Sequence, residues 1–301
     1  MPFVKYNIKH NSLKLIMTTH TIISLIKSLD LFWSAQGSTL TLPYDSRMGA
    51  ATLHPKTFFN ALNPLPGFYH FTQPCSRSQD SRYGKSNNRL FQHHQFQVIV
   101  KPPQENFLDL YKQSLKAVGF NPTIHDLKLI EDNWKSIGIG AWGLGYEAKM
   151  NNMEISQVTY FQQVGGIKCE PITGEIAYGL ERMSLLLQNK SSVWELQWDD
   201  KTKYKDLFYE REKEFSTYNI EYQDLCISDL HRCNEICETL ITDKLPIVAY
   251  DMLIQSNHIF NILDARNNIT ESIKIENISI LKNLSMKIAQ SYLHLIENNN
   301  L

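Results

Sequence analysis

The sequence predicts an α+β fold, an antiparallel sheet flanked by helices and followed by a helical C-terminal region. Three observations carry this expectation. Residues 95–100 (QFQVIV) alternate with period two, and residues 154–163 read as a second strand. Ile22, Leu25, Ile26, Leu29, Phe32 and Trp33 recur at the three-and-four spacing of one buried helical face. Beyond about Val193 the chain turns charged and helical in period, with Cys226, Leu230, Cys233, Cys237 and Leu240 on one stripe and Leu281, Leu284, Ile288 and Leu295 on another.

In chain order, residues 1–16 fit no periodic template and are expected to be a disordered extension or a misplaced start, with Met17 as the functional beginning. A hydroxyl at Thr18 or Thr19 is placed to cap the first helix, which should end near Gly37. Residues 38–42 have strand propensity and stop at Pro43, which cannot donate to a ladder. Residues 45–74 are rich in Gly, Pro and aromatics and read as a long crossing loop ending in a strand at 67–72. The polar segment 76–89 separates that strand from the one at 95–100, which Pro102 and Pro103 terminate. A helix near 105–118, a strand near 126–132, the glycine-rich GIGAWGLGYE at 138–147 and the strand at 154–163 complete the pattern.

Residues 174–183 (GEIAYGLERM) carry the clearest chemistry. An apolar run at 176–178 gives way at Gly179 to a helix-forming series, so Gly179 marks a strand-to-helix corner and Arg182 falls in the first helical turn. From there a guanidinium can hold phosphate oxygens in bidentate fashion; an ordinary surface arginine is the alternative.

Composition bounds the class. With 301 residues, 43% apolar and 11% aromatic, the chain can bury a large core and is not intrinsically disordered. A net charge of −1 supplies no basic field for nucleic acid, so any RNA substrate must be recognised largely elsewhere. Five cysteines, an odd count without a C-x-x-C pair, point to reduced thiols in a cytoplasmic setting. No apolar run approaches a membrane span and no secretory leader is evident, so a cytosolic protein is expected. Cys226, His231, Cys233 and Cys237 invite a zinc reading, but their helical spacing beside Leu230 and Leu240 favours core packing.

Several words in the right order carry a resemblance: EDNW at 131–134, GAWGLGYE at 140–147, TYFQQVGG at 159–166, YGLER at 178–182 and FNILDAR at 260–266. Together with the helix and strand closed by Pro43 and the strand–loop–strand holding Arg77 and Phe96, the chain resembles the α subunit of the bacterial heterotetrameric glycyl-tRNA synthetases, class II enzymes. The resemblance implies a class II catalytic domain over 17–193 and a helical region over 194–301. It also implies an α homodimer formed through the first motif, within an α2β2 tetramer whose β subunit carries most of the tRNA(Gly) recognition. The implied activity joins glycine to ATP, with Mg2+, and then transfers it to the tRNA.

By the same resemblance Arg77 holds the α-phosphate and glycine carboxylate, Arg182 the γ-phosphate, and Phe96 stacks on adenine. On the residues alone, Phe96 reads more readily as a core aromatic of a half-buried strand. Glu175 is placed to accept the glycine ammonium. Gln157, Thr159 and Gln162 suggest one strand face lining a polar cleft. Glu154 is the candidate carboxylate for magnesium. Three positions depart from the family pattern: Ser76 for an arginine, Gln92 for a histidine and Asn60 for an arginine. They leave open a rival reading, a catalytically silent synthetase-like binding module. Retention of Arg77 and Arg182 argues against it, since guanidinium charge without an anion is unfavourable when buried.

Overall fold

The computed structural model describes residues 20–80, 88–221, 223–265 and 269–298, and the side chains among these except those of 216–225. The expectations for residues 1–16, Met17, Thr18 and Thr19, and for part of the polar 76–89 segment, lie outside the described residues.

Helix α1 (Ile22–Ala35) starts at Thr21, whose hydroxyl accepts from the Ser24 amide at 3.1 Å. Strand β1 is only Thr39–Leu40, shorter than expected, and helix α2 (Pro55–Leu62) occupies the stretch that reads as a loop. Proline at its first position hid this helix, yet that is where proline fits, because the amide it lacks would have no helical partner. His54 Nδ1 caps the turn by accepting from the Lys56 amide at 2.9 Å. Strand β2 (Gly67–Ser76) and strand β3 (Gln92–Lys101) pair antiparallel in a continuous register, and helix α3 (Phe107–Ala117) follows.

The glycine-rich words turn out to be sheet. Strands β4 (Leu127–Ser136), β5 (Ala141–Met150), β6 (Met153–Val164) and β7 (Ile167–Gly179) form successive hairpins, and helix α4 (Leu180–Leu187) leaves β7 at the Gly179 corner. Glycine is needed inside β5 because β6 approaches it closely. A Cβ at Gly145 would lie 1.9 Å from the Val158 carbonyl oxygen, and one at Gly143 would lie 2.5 Å from Thr159 Cγ2. The sheet has seven strands in the order β1-β2-β3-β7-β6-β5-β4, antiparallel except for the short β1–β2 pairing.

Helices α5 (Tyr204–Glu221), α6 (Gln223–Thr242), α7 (Pro246–Ala265) and α8 (Glu271–Asn298) make up the C-terminal third. They share a core with the sheet. Phe58 of α2 stacks on Tyr250 of α7 at 4.2 Å, and Cys226, Leu230 and Cys237 of α6 pack in the same cluster as Phe161 of β6. The opposite face of the sheet is covered by α1, α3 and α4, with Trp33, Tyr111 and Met183 packed on Phe96, Val98, Ile176 and Tyr178. Helices thus pack on both faces, although β4 at the sheet edge is mostly exposed. Among the described residues no helix is long and apolar enough to cross a membrane.

The close approach of β5 and β6 is testable. Gly145→Ala should lower stability by about 2 kcal/mol or more in urea unfolding, the upper part of the range for overpacking, because the obstacle is backbone. An unchanged midpoint would show that the strands can separate at no cost.

Candidate active site

Pleat alternation decides what faces the cleft. In β3 the even residues Phe96, Val98 and Val100 enter the core against α1 and α3, so His93, Gln95 and Gln97 face the other way. In β7 the same rule sends Ile176 and Tyr178 to the core and Glu175 and Ala177 to the open side. Of these odd positions His93, Gln95, Glu175 and Ala177, with Gln157 of β6, Asp132 and Trp134 of β4 and the loop residues Ala50 and Thr52, line a cleft of about 310 Å³, while Gln97 is wholly buried.

Three arginines reach it, and Arg77 and Arg182 do so from different elements. Arg77 follows the last residue of β2, and its Nε donates to the Gly49 carbonyl at 2.6 Å, which holds the guanidinium over the cleft beside Asp80. Arg182 lies in the first turn of α4, as the corner at Gly179 requires. Its Nη1 donates to the Glu154 carboxylate at 2.5 Å and to the Glu154 carbonyl at 3.2 Å. Both side chains are partly exposed, so either can exchange its protein partner for a ligand anion. Arg89 also lines the cleft, 3.4 Å from Asp80.

Glu175 lies on the floor and is 1% exposed. Burial pushes its carboxyl up to about 8, and hydrogen bonds from Thr52 and Gln97 offset only part of the rise. Two further polar atoms beside it, Gln97 Oε1 and the Thr159 hydroxyl, are buried without a partner. A carboxyl in a pocket with an unpaired acceptor is suited to a cation carrying several N–H donors.

Glu181 plays a different part. Although burial raises it, its carboxyl lies below the usual range. His94 donates through its amide at 2.9 Å and faces it through Nδ1 at 2.7 Å, and both His94 and His93 pull it down. The Tyr204 hydroxyl also donates to it, at 2.9 Å. Glu181 thus clamps α4, β3 and α5 together behind Arg182. His93, on the cleft face, is held neutral near 3, by burial first and then by the Arg77 charge.

The structure brings Arg77, Glu154, Gln157, Glu175 and Arg182 together, and it corrects three expectations. Phe96 does not reach the cleft. It is a core residue stacked on His70 at 5.6 Å, because the pleat sends it to the α1 side. Thr159 lies in register with Glu175 but beneath the cleft surface, wholly buried. Gln162 is the extra residue of a bulge between Phe161 and Gln163, and its amide turns back onto the Tyr160 carbonyl at 3.0 Å. Gln95, Asp132 and Trp134 were not singled out from the sequence, and His93, beside His94, suggests metal binding or general-base catalysis there, neither of which adenylation requires of it; the parity of β3 was the signal for His93 and Gln95. Of the departures, Asn60 lies in α2 against Gly67, and neither Ser76 nor Gln92 lines the cleft.

A magnesium ion fits here only in one way. Among the described residues no three metal-ligating side chains converge, so there is no protein cage. Glu154 in the cleft is the one expected carboxylate, and it suits an ion carried mainly by phosphate oxygens and water.

The chain matches the family described as glycyl-tRNA synthetase alpha subunit over residues 22–297. Among solved structures, one of a pyrrolysyl tRNA synthetase from Desulfitobacterium hafniense aligns with a TM-score of 0.42 at 11% identity, covering 64% of this chain and 79% of that one. A second, from the same organism, aligns with a TM-score of 0.40 at 11% identity over 67% and 88%.

Glu175 makes stability depend on pH in a defined direction. Its folded value lies above the ordinary 4.5, so its contribution is complete below that value and is lost as pH rises through about 8. Urea unfolding between these limits should show the native protein losing stability relative to Glu175→Gln as pH rises. Parallel curves would mean that the carboxyl is solvated.

Proposed function

We propose, from the premise that this chain belongs to the glycyl-tRNA synthetase alpha subunit family, that it activates glycine with ATP and, together with a β subunit, transfers it to tRNA(Gly). The observation that carries this is a buried carboxyl, Glu175, at the floor of a cleft whose rim holds two arginines with exchangeable partners. That arrangement suits a zwitterion below and phosphates above.

In the first step a glycine carboxylate oxygen attacks the α-phosphorus of ATP. A P–O bond forms, the bond to the β-phosphate breaks, and its electron pair leaves with pyrophosphate. The attacking group is already ionised, so no general base is needed. Arg77 would hold the α-phosphate and the carboxylate in line, and Arg182 would release Glu154 to hold the γ-phosphate. When bound, magnesium supplies charge neutralisation on the leaving phosphates, with Glu154 as its protein ligand. Adenine would rest against the neutral His93 ring, one of two aromatic rings, with Trp134, that line the cleft, in the role expected for Phe96. Glu175 would lose its proton to take the ammonium. Gln157, donating to Asp132 at 3.2 Å, lines the wall above it.

In the second step a ribose hydroxyl of the tRNA attacks the glycyl carbonyl carbon. The bond to the phosphate oxygen breaks, AMP leaves with the electron pair, and the hydroxyl proton passes to that phosphate. A site fitted to the smallest amino acid excludes larger ones by overlap. We place this activity in the cytoplasm, in an α2β2 assembly in which the α chains pair through α1 and β1.

ATP–pyrophosphate exchange, run with glycine, alanine and serine and with a β subunit present, tests the reading. Exchange should require glycine. Arg182→Ala should retain less than about a tenth of it, as expected when a charge-assisted phosphate contact is lost. Exchange that is absent, or equal for the three amino acids, contradicts the reading. In Glu175→Gln the KM for glycine should rise roughly thirtyfold or more, with the KM for ATP little changed. An equal rise in both would assign Glu175 to the nucleotide or the fold.

A further inference from the structure

Two arginines converge on one phenylalanine where helix α5 meets the loop after β1. The guanidinium carbon of Arg47 lies 4.9 Å from the centroid of the Phe215 ring, and that of Arg211 lies 5.1 Å from it. Phe91 stacks on the same ring at 4.4 Å and holds it in place. Both arginines are exposed. Unlike Arg77, Arg89, Arg182 and Arg232, neither has an ion-pair partner among the described residues. With Glu214 and Phe215 they line an open hollow of about 490 Å³. The Arg47 charge also reaches His258, a buried ring with neither nitrogen hydrogen-bonded among the described residues. After burial, that charge is the second cause holding the ring near 4. A positive field is therefore left at this corner of the molecule.

Two neighbouring guanidiniums with free forks, an aromatic ring between them and one carboxylate at the rim suit a phosphate backbone. Each planar fork can hold two phosphate oxygens, and the ring offers an apolar surface to a sugar or a base. Position selects which phosphates. Leu90 lines the cleft and also the small hollow that Arg211 and Phe215 share, so the arginine shelf and the cleft are joined. The loop that carries Arg47 runs on into Gly49, whose carbonyl holds Arg77, and Ala50, which lines the cleft. In the proposed reaction Arg77 and Arg182 already meet the phosphates of ATP, so the shelf is left for a polyanion that reaches the cleft from outside. With a net charge of −1 the chain has no general field to draw such a partner, and a local pair must do it. We infer that Arg47 and Arg211 hold backbone phosphates of the acceptor RNA, upstream of the end that reacts, with Phe215 as the platform between them. This rests on the function proposed above. It gives the α chain a backbone contact of its own beside those expected of the β subunit.

The test uses the assembled α and β subunits. Single-turnover transfer from preformed glycyl-adenylate is followed against tRNA(Gly) concentration at several salt concentrations, beside ATP–pyrophosphate exchange. Arg47→Gln and Arg211→Gln should each raise the tRNA concentration for half-maximal transfer about three- to tenfold and reduce the salt slope by about 1, while exchange stays within about twofold. Arg211→Lys keeps the charge but not the fork, so it should keep the salt slope while losing part of the affinity, a split that a disturbed fold would not produce. Unchanged half-saturation and slope in both glutamine variants overturn the assignment, as does exchange falling in step with transfer. A loss that disappears when the variants are saturated with β subunit also overturns it, and assigns the arginines to an acidic surface of that subunit. An unsubstituted protein that shows no glycine-dependent exchange overturns the parent reading instead.

Discussion

Side-chain alternation across β3, β7 and β6 is the constraint on which the rest of the molecule depends. Once Phe96, Val98, Ile176, Tyr178 and Val158 are committed to the helix-covered face, His93, Gln95, Gln97, Glu175 and Gln157 have no choice but to face the other side. A register slip of one residue would drive glutamines and a glutamate into the dry core. The hydrophobic face thus fixes the polar one, and the cleft's composition follows from the packing of α1, α3 and α4. The same alternation explains why Glu175 is so deeply set. It sits in the middle of a long strand, roofed by Thr52 and flanked by Thr159, where water cannot hydrate an anion.

The surrounding elements then hold the cleft rigid at its rim. Glu181 is buried but well paired, and it joins α4 to β3 and α5 next to the residue that carries Arg182. Glu212 does the same from α5, accepting from the Phe91 amide at 2.5 Å. On the other side the Tyr250 hydroxyl donates to the Leu53 carbonyl at 3.0 Å, and the Ser285 hydroxyl to the Ile139 carbonyl at 2.9 Å, fixing α7 and α8 to the turns at residues 51–53 and 137–139. Leaving buried hydrogen-bonding groups without their partner typically costs about 1–3 kcal/mol or more, so the Glu181 clamp is a structural device whose loss would reach Arg182 indirectly.

Much of this was legible in the sequence where a local rule acts alone. The apolar spacing of α1, the period-two run in β3 and the glycine corner that sets Arg182 at the head of α4 all read directly. Other features depend on neighbours that sequence does not display. Proline at the first position of α2 reads as a loop until His54 is seen to cap the turn. The glycines of β5 look like loop composition until β6 is found against them. Phe96 was legible only as one of two alternatives, and the opposite parity of β3 would have pointed to His93 and Gln95 instead. Gln162 could not be placed because a bulge, which carries no sequence mark here, resets the alternation after Phe161.

The central claim is that a buried, protonated Glu175 receives the substrate ammonium, and proton linkage tests it most directly. Glycine is titrated calorimetrically into the protein near pH 7 in buffers of different ionisation enthalpy, with a non-hydrolysable ATP analogue present. A carboxyl raised to about 8 that ionises on binding must release close to one proton per glycine, and Glu175→Gln must release none. Binding with no proton release in the native protein, or with equal release in the variant, would contradict the account.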